Sequence, residues 1–311
     1  MRKTMKWIKK GLIYGPDRSM AWAQHSALTP TPMLKDSKTI RVFAGFRDDQ
    51  GVSRIGYVDV EAANPSVIKK ISKRPVLDIG IPGTFDDNGV ILGDVIKAND
   101  VIRMYYVGFQ LVQKVIFLAF SGLAISRDNG DTFERASSAP ILDRSDEGLY
   151  FRAIHSVIFE NGIWKAWCGA GSEWETIDGG TFPKYNIKYY ESADGINFPE
   201  KGITCLDYRL NEYRIGRPRV YKKDNVYRMF FTKGTIKKDY LAGYAESENG
   251  VTWSRMDEKI GIKKSKTGWD SEMLCYPSVI EYNSKAYMFY NGNNFGYDGF
   301  GYAILANKEQ E

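Results

Sequence analysis

One structural phrase returns five times along this chain of 311 residues. Each copy consists of a short apolar strand, a polar turn, a second strand rich in aromatic residues and a third strand that ends in another turn. The first strands are anchored, at intervals of about 60 residues, at Ala27, Val95, Val157, Val220 and Val279. A fixed period of this length with several short strands per unit is typical of a β-propeller. The sequence therefore predicts an all-β fold, with residues 1–311 forming a single five-bladed β-propeller domain.

The last repeat lacks the fourth strand that the other four repeats contain. The chain stops soon after residues 303–306, while the N-terminal segment KWIKKGLIYG has a strand-like composition and no partner of its own. An unpaired strand edge promotes association with other chains. We therefore expect residues near Trp7 to Tyr14 to form the outer strand of the last blade and to close the ring.

Three of the third strands run into turns of related sequence, at residues 126–133, 192–198 and 247–253. In each turn an Asp or Asn stands near a Gly, which favours a tight turn, and an aromatic residue follows. The first turn matches the Asp-box pattern S-x-D-x-G-x-T-F of sialidases. We interpret these turns as architectural elements of a propeller and not as active-site residues.

Charge and cysteine content exclude several classes of function. The formal net charge of +5 is spread along the chain without a long basic run, so nucleic acid is not an expected partner. The basic N-terminus is not followed by an apolar run, so we predict no signal peptide, no membrane span and a cytoplasmic location. Cys168, Cys205 and Cys275 lack metal-type spacing and are expected to be reduced. No metal and no cofactor is predicted.

The first strand of each blade lines the axis of a propeller, and its side chains alternate between two faces. Counting back from each anchor at odd offsets places mostly charged and polar residues on the axis. They are Trp22, Gln24, Ser26, Asp86, Asn88, Val90, Leu92, Asp94, Arg152, Ile154, Ser156, Arg217, Arg219, Glu272, Leu274, Tyr276 and Ser278. One interpretation is an internal salt-bridge cluster that ties the blades together. The other is a solvated ligand pocket, which accommodates many charges at lower cost.

The sequence resembles the five-bladed propeller glycosidases of the arabinanase and fructosidase superfamily, over nearly the whole chain. The resemblance rests on FDDNGV at 85–90, Arg217-Pro218, GWDSEM at 268–273, YNGN at 290–293 and GFG at 299–301. Relatives with these motifs are often found among genes for bacterial surface polysaccharides. The resemblance implies a carbohydrate-active, glycoside hydrolase-like enzyme that acts in polysaccharide metabolism.

In arabinanase-like enzymes three acidic residues perform the reaction, and only the auxiliary one has a counterpart here, as Asp94. Blade one offers no carboxylate, and blade three has Arg152 to His155 where the acid would stand. The fructosidase motifs are also absent. Glycoside hydrolysis needs two carboxylates on opposite sides of the sugar, so we expect Asp87 and Glu272 to act as the acid/base pair. A competing interpretation is that Asp87 and Asp270 cap turns.

The arginines favour an anionic ligand such as a uronic or nonulosonic acid, a sugar phosphate or a nucleotide-sugar, because guanidinium groups bind carboxylate and phosphate through paired hydrogen bonds. The predicted substrate-binding set is Trp22, Gln24, His25, Asp86, Arg152, His155, Arg217, Arg219, Asp270, Tyr276 and Tyr297. His25 and His155 are the only histidines, and they are either structural donors or part of this set.

Two other functions stay open beside the glycosidase. One is a catalytically silent propeller that only binds glycans, and the other is an enzyme of polysaccharide biosynthesis that processes a sugar phosphate or a nucleotide-sugar. The first alternative is favoured if Asp94 and Glu272 are neutralised by arginines, and the glycosidase is favoured if both approach one ligand.

Overall fold

The computed structural model describes residues 4–237 and 239–306. This part of the chain consists of strands and connecting loops, with two single-turn 3₁₀ helices at Asp257–Lys259 and Asn293–Phe295. The strands are β1 (Trp7–Tyr14), β2 (His25–Asp36), β3 (Thr39–Arg47), β4 (Ser53–Glu61), β5 (Ile68–Ile71), β6 (Val90–Ala98), β7 (Val101–Gln110), β8 (Leu118–Ser126), β9 (Glu134–Arg135), β10 (Phe151–Glu160), β11 (Ile163–Ile177), β12 (Gly180–Ser192), β13 (Ile203–Leu206), β14 (Glu212–Lys223), β15 (Val226–Thr235), β16 (Tyr240–Ser247), β17 (Ser254–Arg255), β18 (Cys275–Tyr282), β19 (Lys285–Asn291) and β20 (Phe300–Leu305).

The strands pair in sets of four that follow the sequence repeat. Three sets form separate sheets with the orders β2-β3-β4-β5, β14-β15-β16-β17 and β1-β20-β19-β18. The sets β6–β9 and β10–β13 are joined into one larger sheet by a short parallel pairing between β8 and β10. All other neighbours within a set are antiparallel, as short polar turns between consecutive strands require. The strand with the repeat's anchor residue lies at one edge of each set: β2, β6, β10, β14 and β18.

The N-terminal strand belongs to the last sheet, as the sequence predicts. β1 pairs antiparallel with β20 from Trp7 opposite Leu305 to Tyr14 opposite Phe300. Trp7 is buried, and its ring meets the edge of Phe230 in the preceding set at 6.1 Å. The first and last segments of the repeat region are therefore held together by main-chain hydrogen bonds and by apolar packing.

The polar turns after the third strands have the architectural role that was predicted for them. In the first of them, the Ser126 hydroxyl accepts a hydrogen bond from the Gly130 N–H at 2.8 Å. The Asp128 carboxylate accepts hydrogen bonds from the N–H groups of Asp131 and Thr132. Phe133 then packs against Phe43 of the neighbouring sheet at 5.7 Å.

The apolar core lies between neighbouring sheets. One cluster joins the β2–β5 set to the β6–β9 set, and a further cluster joins β2–β4 to β19 and β20, so the last set packs against the first. Cys168 and Cys275 are buried, Cys205 is partly buried, and all three are free cysteines.

We call the strand with the anchor residue in each set (β2, β6, β10, β14 and β18) the innermost strand. Each innermost strand contains a β-bulge close to its anchor residue. In β6, Leu92 pairs with Tyr106 and Asp94 with Tyr105, so Gly93 is an extra residue. The same irregularity lies at His155 in β10, at residues 217–218 in β14 and at residues 276–277 in β18, and β2 has three such shifts. One extra residue exchanges the two faces of a strand for all residues beyond it.

The bulges correct part of the predicted axial register. Val90, Leu92, Ile154 and Leu274 were expected on the axis, but they are buried in the apolar clusters between sheets. The alternation that was counted from the anchors is wrong beyond the bulge, because the bulge lies within three residues of the anchor and inverts the count.

Candidate functional site

A cavity of about 390 Å³ opens where the first halves of the innermost strands meet. Its polar lining consists of Thr29, Arg47, Ser53, Asn88, His155, Tyr185, Arg214, Arg217, Tyr240 and Tyr276. Within the part of the chain that the structure describes, no Asp or Glu lines this cavity. The cavity is therefore cationic, and three of the residues predicted from the sequence, His155, Arg217 and Tyr276, line it together.

Arg217 lies at the centre of these strands, in the β14 bulge, with a left-handed φ of 52°. Its guanidinium donates hydrogen bonds to the carbonyl of Gly93 at 2.5 Å and to the hydroxyl of Thr31 at 2.9 Å. Burial, together with the neighbouring Arg219 charge, lowers the Arg217 pKa to about 9. The arginine still has its positive charge at neutral pH, and it connects three sheets at the wall of the cavity.

His155 is the extra residue of the β10 bulge and is buried. Its Nδ1 accepts a hydrogen bond from the Arg217 N–H at 3.2 Å. Burial and the charge of Arg217 hold the pKa of His155 well below its usual value. The ring is therefore neutral at physiological pH with its proton on Nε2, which makes His155 a hydrogen-bond donor at the cavity.

Arg47 and Arg214 complete the cationic wall. The Nε atom of each is buried and has no hydrogen-bond partner among the described residues. The Arg214 guanidinium lies over the rings of Tyr240 at 4.8 Å and Tyr185 at 5.8 Å. Burial lowers the pKa of Arg47. The hydroxyls of Thr29 and Ser53, on the same cavity, are likewise buried and unpartnered in the described chain.

The sequence analysis missed Arg47 and Arg214. Arg214 has an even offset from Val220 and was assigned to the packing face, but the bulge at residues 217–218 inverts that face. Arg47 lies at the end of a second strand, opposite His25 in the register, and only first strands were searched. A Pro in a strand usually marks an edge or a bulge, so Pro218 was the signal that pointed to the inversion.

Several cavity residues have backbone conformations that are rare for their type. Thr29, Arg217, Tyr276 and Phe295 all have a φ between 49° and 60°, in the left-handed region that disfavours side chains with a Cβ branch or bulk. Such strain persists where the surrounding structure holds it, and it is concentrated at functional sites. Burial also raises the pKa of Tyr276, so its phenol keeps its proton.

The rest of the cavity lining is mainly apolar. It consists chiefly of Ile91, Phe109, Leu111, Phe117, Phe151 and Pro183. Phe151 packs on Tyr185 at 4.7 Å and Phe109 on Phe117 at 5.3 Å. The cavity thus offers contacts to an anion and to an apolar group.

Asp94, predicted as a catalytic carboxylate, is buried in contacts between sheets and does not line the cavity. It forms a salt bridge with Arg219. Its two oxygens also accept hydrogen bonds from the N–H groups of Val95 at 2.6 Å and Val157 at 2.7 Å. Through these contacts Asp94 and Arg219 connect β6, β10 and β14.

Three other predicted residues are also engaged away from the cavity. Asp86 pairs with Arg135 at 2.8 Å, and Asp270 pairs with Lys9 at 2.6 Å. Arg152 donates hydrogen bonds to the carbonyls of residues 143 and 200, both at 2.7 Å. The two carboxylates are therefore paired with structural partners, while Arg152, whose Nε atom has no hydrogen-bond partner among the described residues, is held by main-chain carbonyls outside the cavity.

The predicted acid/base pair does not meet at the cavity. The Asp87 carboxylate accepts a hydrogen bond from the Gly83 N–H at 2.8 Å, which is the turn-capping role considered as the alternative. Glu272 is exposed, and its N–H donates to the side chain of Asn293 at 2.7 Å. Neither residue belongs to the cavity lining.

A second, shallower depression of about 470 Å³ contains three further predicted residues, Gln24, His25 and Tyr297. His25 stacks on Tyr297 with ring centroids 4.8 Å apart. Trp22 lies outside the lining of both depressions, packed on Phe46 with its indole N–H bonded to the Lys73 carbonyl.

Residues 4–237 and 239–306 contain neither a metal-binding cluster of side chains nor a helix that could span a membrane. No group of three His, Cys, Asp or Glu side chains there is arranged to hold a metal ion. No helix in that same part of the chain is long and apolar enough to cross a membrane.

Solved structures with this fold are glycoside hydrolase-like propellers. One, described as a glycoside hydrolase, superposes with a TM-score of 0.72 at 17% identity and covers 97% of this chain and 92% of its own. A second structure comes from work on the GH130 family of mannoside phosphorylases, which contains glycoside hydrolases that target β-1,2 mannosidic linkages in Candida mannan. It superposes with a TM-score of 0.68 at 16% identity and covers 99% of this chain and 95% of its own. A thermostable family-43 glycoside hydrolase has a TM-score of 0.67 at 17% identity, covering 92% and 91%. At these identities the likeness shows the fold.

No family model matches the chain. Sequence similarity extends over 304 residues to the uncharacterized protein Rv1502 of Mycobacterium tuberculosis, with 32% identity, 97% of this chain covered and 100% of the relative. The chain therefore belongs to the same family as the uncharacterized protein Rv1502, and it has the fold of the glycoside hydrolase-like propellers.

Proposed function

We propose that the chain is a carbohydrate-active protein whose cavity binds an anionic sugar, one that bears a carboxylate or a phosphate. The observation that carries this proposal is the cavity lining, which combines Arg47, Arg214, Arg217 and a neutral His155 with no acidic residue. We infer further that the five sets of strands are the five blades of one ring over residues 1–311. The sequence resemblance supports a role in bacterial polysaccharide metabolism.

The guanidinium groups of the cationic wall explain why the ligand should be an anion. Arg47, Arg214 and Arg217 all line the cavity, and within the described chain no carboxylate lines it. Carboxylate and phosphate oxygens accept paired hydrogen bonds from guanidinium groups. An anionic ligand would therefore balance the positive charge of the lining.

The remaining lining supports a sugar as the body of that ligand. Tyr185, Tyr240 and Tyr276 offer phenol groups for hydrogen bonds and ring faces for the apolar side of a pyranose. A fold that is shared with glycoside hydrolase-like propellers supports the same ligand class.

Ordinary glycoside hydrolysis is not the reaction that this cavity favours. It needs one carboxylic acid and one carboxylate on either side of the sugar. Asp94 is neutralised by Arg219, and Glu272 lies outside the cavity. This arrangement supports binding of the anionic sugar without carboxylate-pair chemistry.

Phosphorolysis is the second candidate, because one of the similar structures belongs to a family of mannoside phosphorylases. In phosphorolysis an oxygen of dihydrogen phosphate attacks the anomeric carbon, the glycosidic C–O bond breaks, and the leaving oxygen takes the proton that the phosphate gives up. No carboxylate is then needed to activate water, and an arginine-lined cavity is suited to the phosphate.

Calorimetry with glucose, glucuronic acid and glucose 1-phosphate tests the proposed binding. We expect the two anionic sugars to bind at least tenfold more tightly than glucose. Arg214→Gln should weaken their binding at least tenfold, since a hydrogen bond to a charged group is worth roughly 1.5–3 kcal/mol. Arg127→Gln, at an exposed position, is the matched control and should behave like the parent. Equal affinity for glucose, or parental affinity in Arg214→Gln, would contradict the proposal.

The phosphorolysis candidate has its own assay. A β-1,2-linked mannobiose is incubated with and without inorganic phosphate, and mannose 1-phosphate and mannose are measured. Release of sugar phosphate that depends on phosphate supports phosphorolysis. Equal release of free mannose in both samples would indicate hydrolysis, and no release would leave anionic sugar binding as the function.

A further inference from the structure

The mouth of the cavity carries exposed apolar side chains that the fold does not need. Ile81 is 74% exposed, Leu111 68%, Ile116 56% and Val112 38%. We name these four residues the apolar rim. Large apolar side chains are usually exposed one at a time, and several in one place mark an interaction site.

The residues of the rim come from two loops that are hydrogen-bonded to each other. Leu111, Val112 and Ile116 lie in the connection between β7 and β8. The Ile81 loop is tied to that connection, because Gln110 donates a hydrogen bond to the Thr84 carbonyl at 3.1 Å. The Leu111 N–H also bonds the Asn88 side chain at 3.0 Å.

The rim continues into the cavity. Leu111 belongs to the rim and to the cavity lining, and Phe117 at the end of the same loop lines the cavity beside Phe109. Arg214 and Arg217 line the same cavity. A ligand that fits the whole surface has an anionic head inside the cavity and an apolar chain that leaves along the rim.

We propose that the physiological ligand is a lipid-linked anionic sugar, whose charged head binds the arginine wall and whose hydrocarbon chain lies on the apolar rim. This inference rests on the proposed function, since it assigns the ligand class of the same cavity. The exposed Lys114 is the one charged residue in the loop 111–117, which contains three of the four rim residues. The charged head of the ligand is therefore expected at the arginines of the cavity, and the hydrocarbon chain at the rim.

Three probes separate the head from the chain: inorganic phosphate, octyl phosphate and octyl glucoside, each used below its micelle concentration in calorimetry. We expect octyl phosphate to bind at least tenfold more tightly than inorganic phosphate, a gain that burial of about two methylene groups provides. Octyl glucoside, which has the chain without the charge, should bind at least tenfold more weakly than octyl phosphate.

The double variant Ile81→Ser/Ile116→Ser tests the rim. It should lose at least fivefold in affinity for octyl phosphate and less than twofold for inorganic phosphate. Leu34→Ser is the matched control, because Leu34 is 44% exposed near the far end of β2, and it should bind both probes like the parent.

The outcomes distinguish the two proposals. If inorganic phosphate binds and octyl phosphate binds no more tightly, or if the double variant keeps the gain from the chain, the lipid-linked ligand is wrong and the anionic sugar stands. If neither phosphate probe nor any anionic sugar binds, the proposed function fails together with this inference.

Discussion

The N–H of Arg217 donates a hydrogen bond to Nδ1 of His155 at 3.2 Å, and this contact connects the bulges of β14 and β10. It fixes the tautomer of the buried His155 ring, and it places the positive charge of Arg217 beside that ring. The neutral ring and the charged arginine are therefore one unit. Replacement of Arg217 by a neutral residue should therefore raise the pKa of His155.

The first prediction concerns stability at acidic pH. Folded His155 has a pKa well below its usual value, while in the unfolded chain it titrates near 6.5. Below that pH the unfolded state binds a proton that the folded state does not, so folding becomes less favourable as pH falls. Between pH 7.5 and pH 5.5 we expect a loss of about 1.4 kcal/mol from this residue. Urea unfolding of the parent and of His155→Asn at both pH values measures it.

His25→Asn is the control for that experiment, because His25 is the other histidine and is less buried. The pH dependence should be flatter in His155→Asn than in His25→Asn. An equal slope in the parent and in His155→Asn would show that folding does not shift the pKa of His155.

The second prediction concerns the Asp94–Arg219 salt bridge. Removal of one partner leaves a buried charge unpaired, so Asp94→Asn should lower the free energy of unfolding by roughly 3 kcal/mol. Arg219→Gln is combined with Asp94→Asn in a double variant. Its loss of unfolding free energy should be at least about 1 kcal/mol smaller than the summed losses of the two single variants. Chemical denaturation of the four proteins measures this coupling.

The exposed pair of Arg54 and Asp78 is the control for the cycle. Asp78→Asn should cost less than about 1 kcal/mol, as surface ion pairs do. Strictly additive effects of Asp94→Asn and Arg219→Gln would remove the structural role that we assign to the pair.

The third prediction concerns the N-terminal strand. Trp7→Ala removes a buried indole between β1 and the β14–β17 set, which should cost about 3–5 kcal/mol of unfolding free energy. Ile8→Ala changes the next residue, which is 39% exposed, and should cost less than about 1 kcal/mol. Equal melting temperatures for the two variants would show that β1 contributes little to the last sheet.

The fourth prediction concerns Glu272, which the sequence analysis proposed as one member of the acid/base pair. Because this carboxylate is exposed and outside the cavity lining, Glu272→Gln should leave ligand affinity and any measured turnover within about twofold of the parent. A positioned acid or base contributes about 10²–10⁴-fold. A loss of that size in Glu272→Gln would return the chemistry to a carboxylate mechanism.

The repeat by itself predicted the strand sets, the outer position of β1 and the structural turns at Asp128 and its counterparts. These features follow from local patterns, because apolar alternation and turn chemistry act over a few residues. The repeat adds the long-range order, since each unit needs its neighbour to bury its apolar face. The same local reasoning identified Arg217, His155 and Tyr276.

Only the tertiary structure decided which face of each innermost strand meets the cavity. One extra residue per strand moved Arg214 to the cavity and Leu92, Ile154 and Leu274 into the core. Pro218, Pro277 and Gly93 marked three of these bulges in the sequence, since neither residue type favours a regular central strand. The bulge at His155 has no such mark. It depends on contacts with β14 that the local sequence does not contain, because the partner of its Nδ1 lies more than 60 residues further along the chain.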